Sequence, residues 1–278
     1  MTTTALAGTA AQWAETEDDP RIVPVPAAPA SEPQVVVDNV SKAFRGPRGT
    51  VLALDRINLS VAPGEFVCLL GASGCGKSTL LNLVAGLDTP SSGSVHTVGR
   101  PALMFQESAL FPWLTAGKNV ALALRLAGVP RAGRSDRVRE LLELVRLPGI
   151  ADRRVHELSG GQRQRVALAR ALAQQGHVLL MDEPFAALDA ITRDVLHDEL
   201  TRVWKRTGQS VVFVTHNVRE AVRLGQRVVL LSSRPGRVVR EWPVHIAGPR
   251  TIEHPEVSAL AAEITVRLRE EIASHAHR

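Results

Sequence analysis

The sequence is poor in the features that mark disulfide-stabilised, secreted and membrane-spanning proteins. Only two cysteines, Cys68 and Cys75, occur among its 278 residues, too few for a disulfide framework or a cysteine metal cluster. No apolar run approaches the roughly 20 residues that a membrane-spanning helix needs. The N-terminal residues lack the basic and apolar segments of a secretory signal. We therefore expect a protein of the reducing cytoplasm, and 45% hydrophobic with 22% charged residues is ordinary for a soluble globular chain.

Lysine is also scarce, so arginine supplies most of the positive charge. Lysine occurs only at Lys42, Lys77, Lys118 and Lys205. The formal net charge is +5 and the pI about 10.0, values that can accompany binding to nucleic acid or to an anionic membrane. Here the arginines are scattered among acidic residues, without a basic run or interleaved aromatic residues. The charge therefore indicates no particular partner, and we expect no nucleic-acid ligand.

Hydrophobic periodicity divides the chain into a tail, a main domain and a C-terminal extension. Residues 1–34 are rich in Ala, Thr and Pro and lack periodicity, which predicts a disordered tail. Residues 35–245 form the predicted main domain, in which strands and helices alternate as in a parallel sheet. Residues from about 107 to 160 form a predicted helical insert within it. Residues 246–278 are a predicted helical extension.

Individual elements follow from the same patterns. We predict strands over 35–44, 65–70, 102–105, 178–181, 211–214 and 228–231, a strand pair over 51–61, a hairpin-like piece around 234–236, and helices over 80–85, 120–126, 138–147, 162–175, 190–206, 218–224 and 257–272.

The stretch from Gly71 to Thr79 is the strongest functional signal in the sequence. It fits the phosphate-loop pattern G-x-x-x-x-G-K-[ST], between a predicted strand and a predicted helix. That arrangement directs backbone N–H groups and a helix N-terminus at a polyphosphate. Lys77 would place a positive charge on the outer phosphates, and the Ser78 hydroxyl would take a Mg²⁺ position. The alternative is a Gly/Ser turn between two core elements, but the complete pattern in this context favours a nucleoside triphosphate site. The loop residues are Gly71, Ala72, Ser73, Gly74, Cys75, Gly76, Lys77, Ser78 and Thr79.

An acidic pair, Asp182-Glu183, follows the apolar predicted strand Val178-Leu179-Leu180-Met181. The carboxyl ends of strands in α/β sheets line the crevice where ligands bind. Asp182 can hold Mg²⁺ through water, and Glu183 can polarise a water for attack on the γ-phosphate. Acidic residues also simply end strands, but the phosphate loop favours the functional interpretation.

The sequence Leu158-Ser159-Gly160-Gly161-Gln162 lies immediately before a predicted helix. Ser159 is a good N-cap residue, and the glycines leave backbone N–H groups uncovered at the helix N-terminus. A simple cap would need only one polar residue. A helix terminus contributes about 0.3–1 kcal/mol to binding an anion, so this segment would have to act jointly with the phosphate loop.

Taken together, these motifs resemble the ATP-binding subunit of ATP-binding cassette (ABC) transporters over about residues 35–245. In that family the phosphate loop is the Walker A motif, residues 158–162 are the signature, and 178–182 are Walker B. Three further matches are Gln106 (Q-loop), residues 187–189 (D-loop) and residues 215–217 (switch-histidine loop). Phe44 matches the position of an aromatic ring that stacks on adenine. The resemblance implies an α/β P-loop NTPase fold with a central, mostly parallel sheet, an antiparallel β subdomain and a helical insert.

The resemblance also implies an ATPase that uses ATP and Mg²⁺. Glu183, His216 and Gln106 would be catalytic, and Ser78, Gln106 and Asp182 would hold the metal. Two copies would enclose two ATP molecules, each bound by one copy's phosphate loop and by the partner copy's signature. The nucleotide would contact Phe44, the loop residues 71–79, Ser159, Gly160, Gly161, Gln162 and Asp189. At position 217 close relatives usually carry Asp, whereas this chain has Asn217. Asn keeps the shape and a hydrogen-bond acceptor but loses the negative charge.

Several segments resemble more narrowly the branch that imports nitrate, sulfonates and taurine. They are residues 106–113, 188–193 and 233–237, with the tail around His254-Pro255-Glu256. The branch implies a subunit at the cytoplasmic face of the membrane, with a permease as direct partner and an external solute-binding protein as indirect one. Phe111 and Trp113 would form the permease docking surface, or else pack in the core. The identity of the solute does not follow from the sequence.

Two other functions remain as alternatives. Soluble ABC ATPases that act on DNA or ribosomes usually carry a long coiled-coil insertion or two fused cassettes, and neither occurs here. A P-loop kinase would leave the signature and His216 without a purpose. The importer ATPase therefore explains the most residues.

Overall fold

The computed structural model describes residues 32–47, 49–247, 250–251 and 253–276. Most of the predicted tail therefore lies outside the described residues. Gln34, at the end of that tail, is buried, and its backbone N–H donates to Val61 O at 2.7 Å. No helix in the described ranges is long and apolar enough to cross a membrane.

The described chain contains nine strands and seven α-helices. The strands are β1 Val35–Gly46, β2 Gly49–Val61, β3 Phe66–Leu70, β4 Ser92–Thr97, β5 Ala102–Met104, β6 Val178–Asp182, β7 Ser210–Thr215, β8 Arg227–Leu231 and β9 Val238–Pro243. The helices are α1 Lys77–Val84, α2 Ala116–Leu126, α3 Arg131–Leu144, α4 Gly160–Leu172, α5 Ala190–Thr207, α6 Val218–Leu224 and α7 Pro255–Ala276.

A six-stranded sheet organises the molecule, in the order β5-β6-β7-β3-β8-β9. Its strands are parallel except for β9, which pairs antiparallel with β8. β3 and β7 are buried along their whole length, because α1 with strands β1 and β2 covers one face and other helices cover the opposite face, and their continuous apolar sequences reflect this. The carboxyl ends of β3, β6 and β7 meet at one edge, which places the motifs that follow these strands side by side.

A second sheet is antiparallel and has three strands, in the order β2-β1-β4. The predicted strand pair over 51–61 is wrong, because these residues form the single strand β2, which pairs along its length with β1. Three register shifts along that pairing bend the ribbon, as β-bulges do. Strand β4 was not predicted, since its residues Ser92–Thr97 are mostly polar and exposed.

The helical insert consists of α2 and α3, which pack against each other and against α4. Thr115 caps α2 by accepting a hydrogen bond from Lys118 N at 3.2 Å, so α2 begins four residues before the predicted start. Asn119 is fully buried on α2, and its amide bonds the backbone of Phe111 and Thr115. This amide holds the segment before α2 against the helix.

The predicted C-terminal extension packs on the main domain through α7, which contacts α6. Val257, Ala261 and Ile264 recur at helical spacing, are buried, and join the larger hydrophobic core. Burial of each such side chain, the alanine excepted, contributes about 1.5–3 kcal/mol. The helix is therefore held to the core by its apolar face. The fold is the predicted α/β architecture with an antiparallel β subdomain and a helical insert.

Candidate functional site

The phosphate loop connects the buried strand β3 to the N-terminus of α1, as the sequence predicts. Gly74 has φ 76° and Gly76 has φ 106°, backbone conformations that glycine adopts without strain. A Cβ on Gly76 would lie 2.6 Å from Leu54 Cδ2 of β2, so the loop also approaches the antiparallel sheet closely. The loop is thus fixed both by its own turns and by the neighbouring sheet.

Lys77 is the first residue of α1, and its side chain is turned into the loop. The Nζ atom donates to Gly71 O at 2.9 Å and to Ala72 O at 3.0 Å, and it lies 3.9 Å from Glu183 Oε1. Only 5% of this side chain is exposed. A buried ammonium needs such partners, and here it is held where a bound polyphosphate would meet the loop.

Asp182, the last residue of β6, lies beside Ser78 of the loop. Burial raises the pKa of the Asp182 carboxyl, while a hydrogen bond from Ser78 and the nearby Lys77 ammonium act in the opposite direction. A carboxylate and a hydroxyl in one small space fit Mg²⁺, which prefers oxygen ligands and keeps several of its waters. Two of the three predicted metal ligands are therefore brought together.

Glu183 and His216 form a hydrogen-bonded pair next to Lys77. His216 Nδ1 lies 2.8 Å from Glu183 Oε2. Glu183 adopts φ 42°, and its backbone N–H donates to Val214 O of β7 at 3.0 Å. A left-handed conformation at a non-glycine residue is uncommon and often accompanies function. It turns the carboxylate toward both the loop lysine and the histidine.

Gln106, the third predicted catalytic residue, has an exposed position between β5 and α2. Its carbonyl accepts a hydrogen bond from Gln164 Nε2 of α4 at 3.0 Å. Nearby, Arg170 of α4 donates to the carbonyls of Ser108 and Ala109. The segment after Gln106 is therefore attached to the helix that begins at the signature.

The signature residues cap α4 as predicted. Ser159 Oγ accepts from Gln162 N at 3.2 Å, and Gln162 Oε1 accepts from Ser159 N at 2.9 Å, a reciprocal capping box. A Cβ on Gly161 would lie 2.8 Å from Thr192 Cγ2 of α5, so this glycine also allows close helix packing. Within the described ranges, no hydrogen bond or ion pair joins Ser159–Gln162 to the phosphate loop of the same chain.

Two predicted nucleotide contacts lie at the periphery of the site. Asp189 caps α5 by accepting from Thr192 N at 2.9 Å, a bond that lowers the pKa of its carboxyl. Phe44 of β1 is 45% exposed, and the Lys42 ammonium lies 5.0 Å from its ring centroid. An exposed ring on this hairpin is available to stack on a base.

Sequence reasoning missed the side chains that support the loop and the histidine. Arg234 Nε donates to Gly74 O at 2.8 Å, and a Cβ on Gly236 would lie 2.3 Å from Cys75 O. The sequence predicted a hairpin-like piece around 234–236 and marked residues 233–237 as a branch feature, but it did not predict their contacts with the phosphate loop. Behind His216, Thr215 contacts Glu220, which in turn contacts His197, and no sequence pattern connected Glu220 or His197 with the site.

An apolar groove of about 650 Å³ lies between the helical insert and β5. Its lining includes Leu87, Leu103, Phe105, Phe111, Leu122 and Leu126. Phe111 is 38% and Trp113 is 68% exposed, with ring centroids 5.4 Å apart. The sequence left open whether these two rings lie on a docking surface or pack in the core. Their exposure fits the surface better than the core for both rings. The groove and these rings form one apolar surface.

Comparison with a family model and with known proteins finds related chains. Residues 54–186 match the family model described as ABC transporter. The chain is 46% identical over 220 residues to the nitrate import ATP-binding protein NrtD of Synechocystis, covering 76% of this chain and 83% of that protein. It is 48% identical over 222 residues to the taurine import ATP-binding protein TauB of Burkholderia pseudomallei, with coverages of 77% and 85%. It is 44% identical over 240 residues to the aliphatic sulfonates import ATP-binding protein SsuB of Bacillus subtilis, with coverages of 83% and 92%.

A solved structure is similar as well. The dimeric post-hydrolysis state of the ATP-binding cassette MJ0796, bound to ADP and Pi, superposes with a TM-score of 0.67 at 34% identity. The match covers 77% of this chain and all of that one.

Proposed function

This chain belongs to the ABC transporter family of ATP-binding subunits, and we propose that it powers the import of a small anion or sulfonate through a separate membrane permease. ATP hydrolysis is the activity that members of this family share. The solute class follows from the relatives, whose names refer to nitrate, taurine and aliphatic sulfonates.

One observation supports the assignment of the reacting groups: Glu183 lies within reach of both Lys77 and His216. Glu183 Oε1 is 3.9 Å from Lys77 Nζ, and Glu183 Oε2 is 2.8 Å from His216 Nδ1. A base that is to activate water must lie next to the phosphate that the water attacks. In this arrangement the γ-phosphate lies at the Lys77 ammonium, Glu183 accepts the proton of the attacking water, and His216 orients Glu183 and contacts the phosphate.

The metal assignment rests on the oxygen atoms beside the loop. Ser78 and Asp182 would hold Mg²⁺, with Gln106 completing the set when the segment after β5 approaches. The metal supplies charge neutralisation between the phosphates. The loop backbone of residues 71–76, with Lys77 and Thr79, binds the phosphates, and Phe44 stacks on the base.

We propose that the complete site forms only between two copies of the chain. Ser159 to Gln162 present an exposed helix N-terminus that is not bonded to the phosphate loop of the same chain. Asp189 lies at the start of the neighbouring helix α5. In a two-fold symmetric pair the signature of one copy covers the nucleotide on the other, so each copy contributes to both sites.

The apolar surface around Phe111 and Leu126 is the proposed docking site for the permease. Its occupant is a short helical segment with an apolar face, because the groove is apolar and its lining includes the small residues Ala123 of α2 and Ala127 directly after α2. The site is attached to α4 through Gln164 and Arg170, so movement of the signature helix is transmitted to the groove. This partner would place the subunit at the cytoplasmic face of the membrane, and an external binding protein would deliver the solute.

Reconstitution of the subunit with its permease and binding protein in vesicles tests this function. Mg²⁺-dependent ATP hydrolysis is measured with nitrate, taurine, an alkanesulfonate or a pyrimidine thiamine precursor present. We expect stimulation by one of the first three. Stimulation by the pyrimidine alone contradicts the solute class, and selective copurification with ribosomes or DNA instead of a membrane protein contradicts the importer role.

A further inference from the structure

Behind the candidate catalytic pair lies a buried group of three polar side chains, which we call the His197 cluster: His197 of α5, Glu220 of α6 and Thr215 of β7. Their exposed fractions are 2%, 7% and 2%. His197 Nε2 lies 2.6 Å from Glu220 Oε1, and the Thr215 hydroxyl donates to Glu220 Oε2. Glu220 thus joins two elements that are separate in the sequence.

The Thr215 hydroxyl makes a second hydrogen bond, to the residue that follows His216. Its Oγ1 accepts from Asn217 N at 2.9 Å while it donates to Glu220. The side chain of Asn217 in turn caps α6 by accepting from Arg219 N and Glu220 N. The residues on both sides of His216 are therefore tied to Glu220, Thr215 through the carboxylate and Asn217 through the Thr215 hydroxyl and the Glu220 backbone.

This matters because His216 itself has little packing to orient it. Its side chain is 58% exposed, and it contacts Glu183 at 2.8 Å. The direction of the imidazole then depends mainly on its backbone, which the His197 cluster holds. The cluster also reaches the other half of the pair, since the His197 ring lies 5.6 Å from the ring of Phe185, two residues after Glu183.

We propose that His197, Glu220 and Thr215 are positioning residues that keep His216 directed at Glu183 and so set the rate of hydrolysis without touching the nucleotide. The proposal rests on the proposed roles of Glu183 and His216. A purely structural cluster would contribute to stability alone. A positioning cluster instead affects kcat through His216, and it leaves ATP binding by the Lys77 loop unchanged.

Thr215→Val tests the proposal, with Thr215→Ser as the matched control. Valine keeps the shape but loses both hydroxyl bonds, whereas serine keeps them. Misplacement of reacting groups by about 1 Å costs on the order of 100-fold in rate. We expect Thr215→Val to lower kcat for ATP by about 10–100-fold, with KM for ATP within about twofold of wild type, and Thr215→Ser to remain within about threefold in both.

A second pair addresses the case in which Thr215→Val fails to fold. His197→Gln can still donate to Glu220, whereas His197→Leu cannot. We expect kcat to fall selectively in His197→Leu. Equal losses in the two His197 variants, or a fall in thermal stability with unchanged kcat, would overturn the proposal.

A double variant separates this inference from the proposed function. In a His216→Ala background, Thr215→Val should lower kcat no further, since nothing is left to position. If instead His216→Ala and Glu183→Gln both hydrolyse ATP at the wild-type rate, the proposed catalytic roles of Glu183 and His216 fail. If those two variants are impaired but Thr215→Val matches wild type, only the positioning role fails.

Discussion

Replacing Glu183 by glutamine is the sharpest test of the catalytic assignment, because it changes one charge and almost no volume. Loss of a general base typically costs about 10²–10⁴-fold in rate, which is about 2.7–5.5 kcal/mol on the barrier. ATP binding should not suffer. At the 3.9 Å between Glu183 Oε1 and Lys77 Nζ, a charge pair at an effective dielectric constant of about 20 has an attraction of about 4 kcal/mol. Without that carboxylate, the lysine charge is no longer shared between Glu183 and the phosphates.

We therefore expect Glu183→Gln to bind ATP at least as tightly as wild type, to lose turnover, and to accumulate as an ATP-bound dimer. Calorimetry measures the affinity, a phosphate-release assay measures turnover, and size-exclusion chromatography with ATP measures the dimer. Glu143→Gln, an exposed position on α3, is the control with the same charge change. Normal turnover without a dimer would remove Glu183 from its role.

Three further predictions concern the loop, the metal ligand and the groove. Lys77→Ala removes the ammonium that would bind the outer phosphates. Two charge-assisted hydrogen bonds there would contribute about 1.5–3 kcal/mol each, so ATP affinity measured by calorimetry should fall about 10²–10⁴-fold, while the exposed Lys118→Ala should not change it. Burial raises the pKa of the Asp182 carboxyl in the folded protein above its ordinary value of 3.8. The ionised carboxylate therefore lowers the free energy of unfolding as the pH rises above the pKa of the unfolded state. Asp182→Asn should therefore raise Tm at pH 7, with the gain fading as pH falls toward 4, and should lower Mg²⁺-dependent turnover; an unchanged Tm contradicts this. Leu126 is 75% exposed in the groove, and Leu126→Glu should weaken permease association about 10–100-fold in pull-down titrations. Val266→Glu, on the exposed surface of α7, should leave the association unchanged.

The strands and helices that were predicted correctly are those whose sequence pattern is produced by burial. The apolar run Val178–Met181 predicts β6 because both faces of that strand are covered. Strand β4 could not be predicted in this way, because it lies at the edge of the antiparallel sheet and its polar residues pair through the backbone with β1. The first turn of α2 was missed for a related reason. It begins at the cap residue Thr115, before the apolar periodicity starts.

The chemistry-bearing residues were predictable where one short segment determines their place. Gly74, Gly76 and Lys77 are close in sequence, and the turns that the glycines permit bring the ammonium back to the Gly71 carbonyl. Asp182 and Glu183 follow from the end of a buried strand. For Lys77, the local backbone conformation suffices to derive the contact, whereas the contacts of Asp182 and Glu183 with the loop and with His216 depend on the order of strands in the sheet.

The supporting side chains depend on the tertiary fold, and no local pattern contains them. Glu220 reads as a polar residue on a short amphipathic helix, and His197 as a polar residue on α5. They meet because β7 lies beside β3 and β6 in the sheet, which places the helices after β6 and after β7 against each other. A buried carboxylate is costly unless it is hydrogen-bonded, so Glu220 at 7% exposure requires its two partners, and those partners in turn fix the residues flanking His216. Packing between distant elements thus determines how precisely His216 is oriented. The motif of three residues, by contrast, is sufficient to locate this histidine in the sequence.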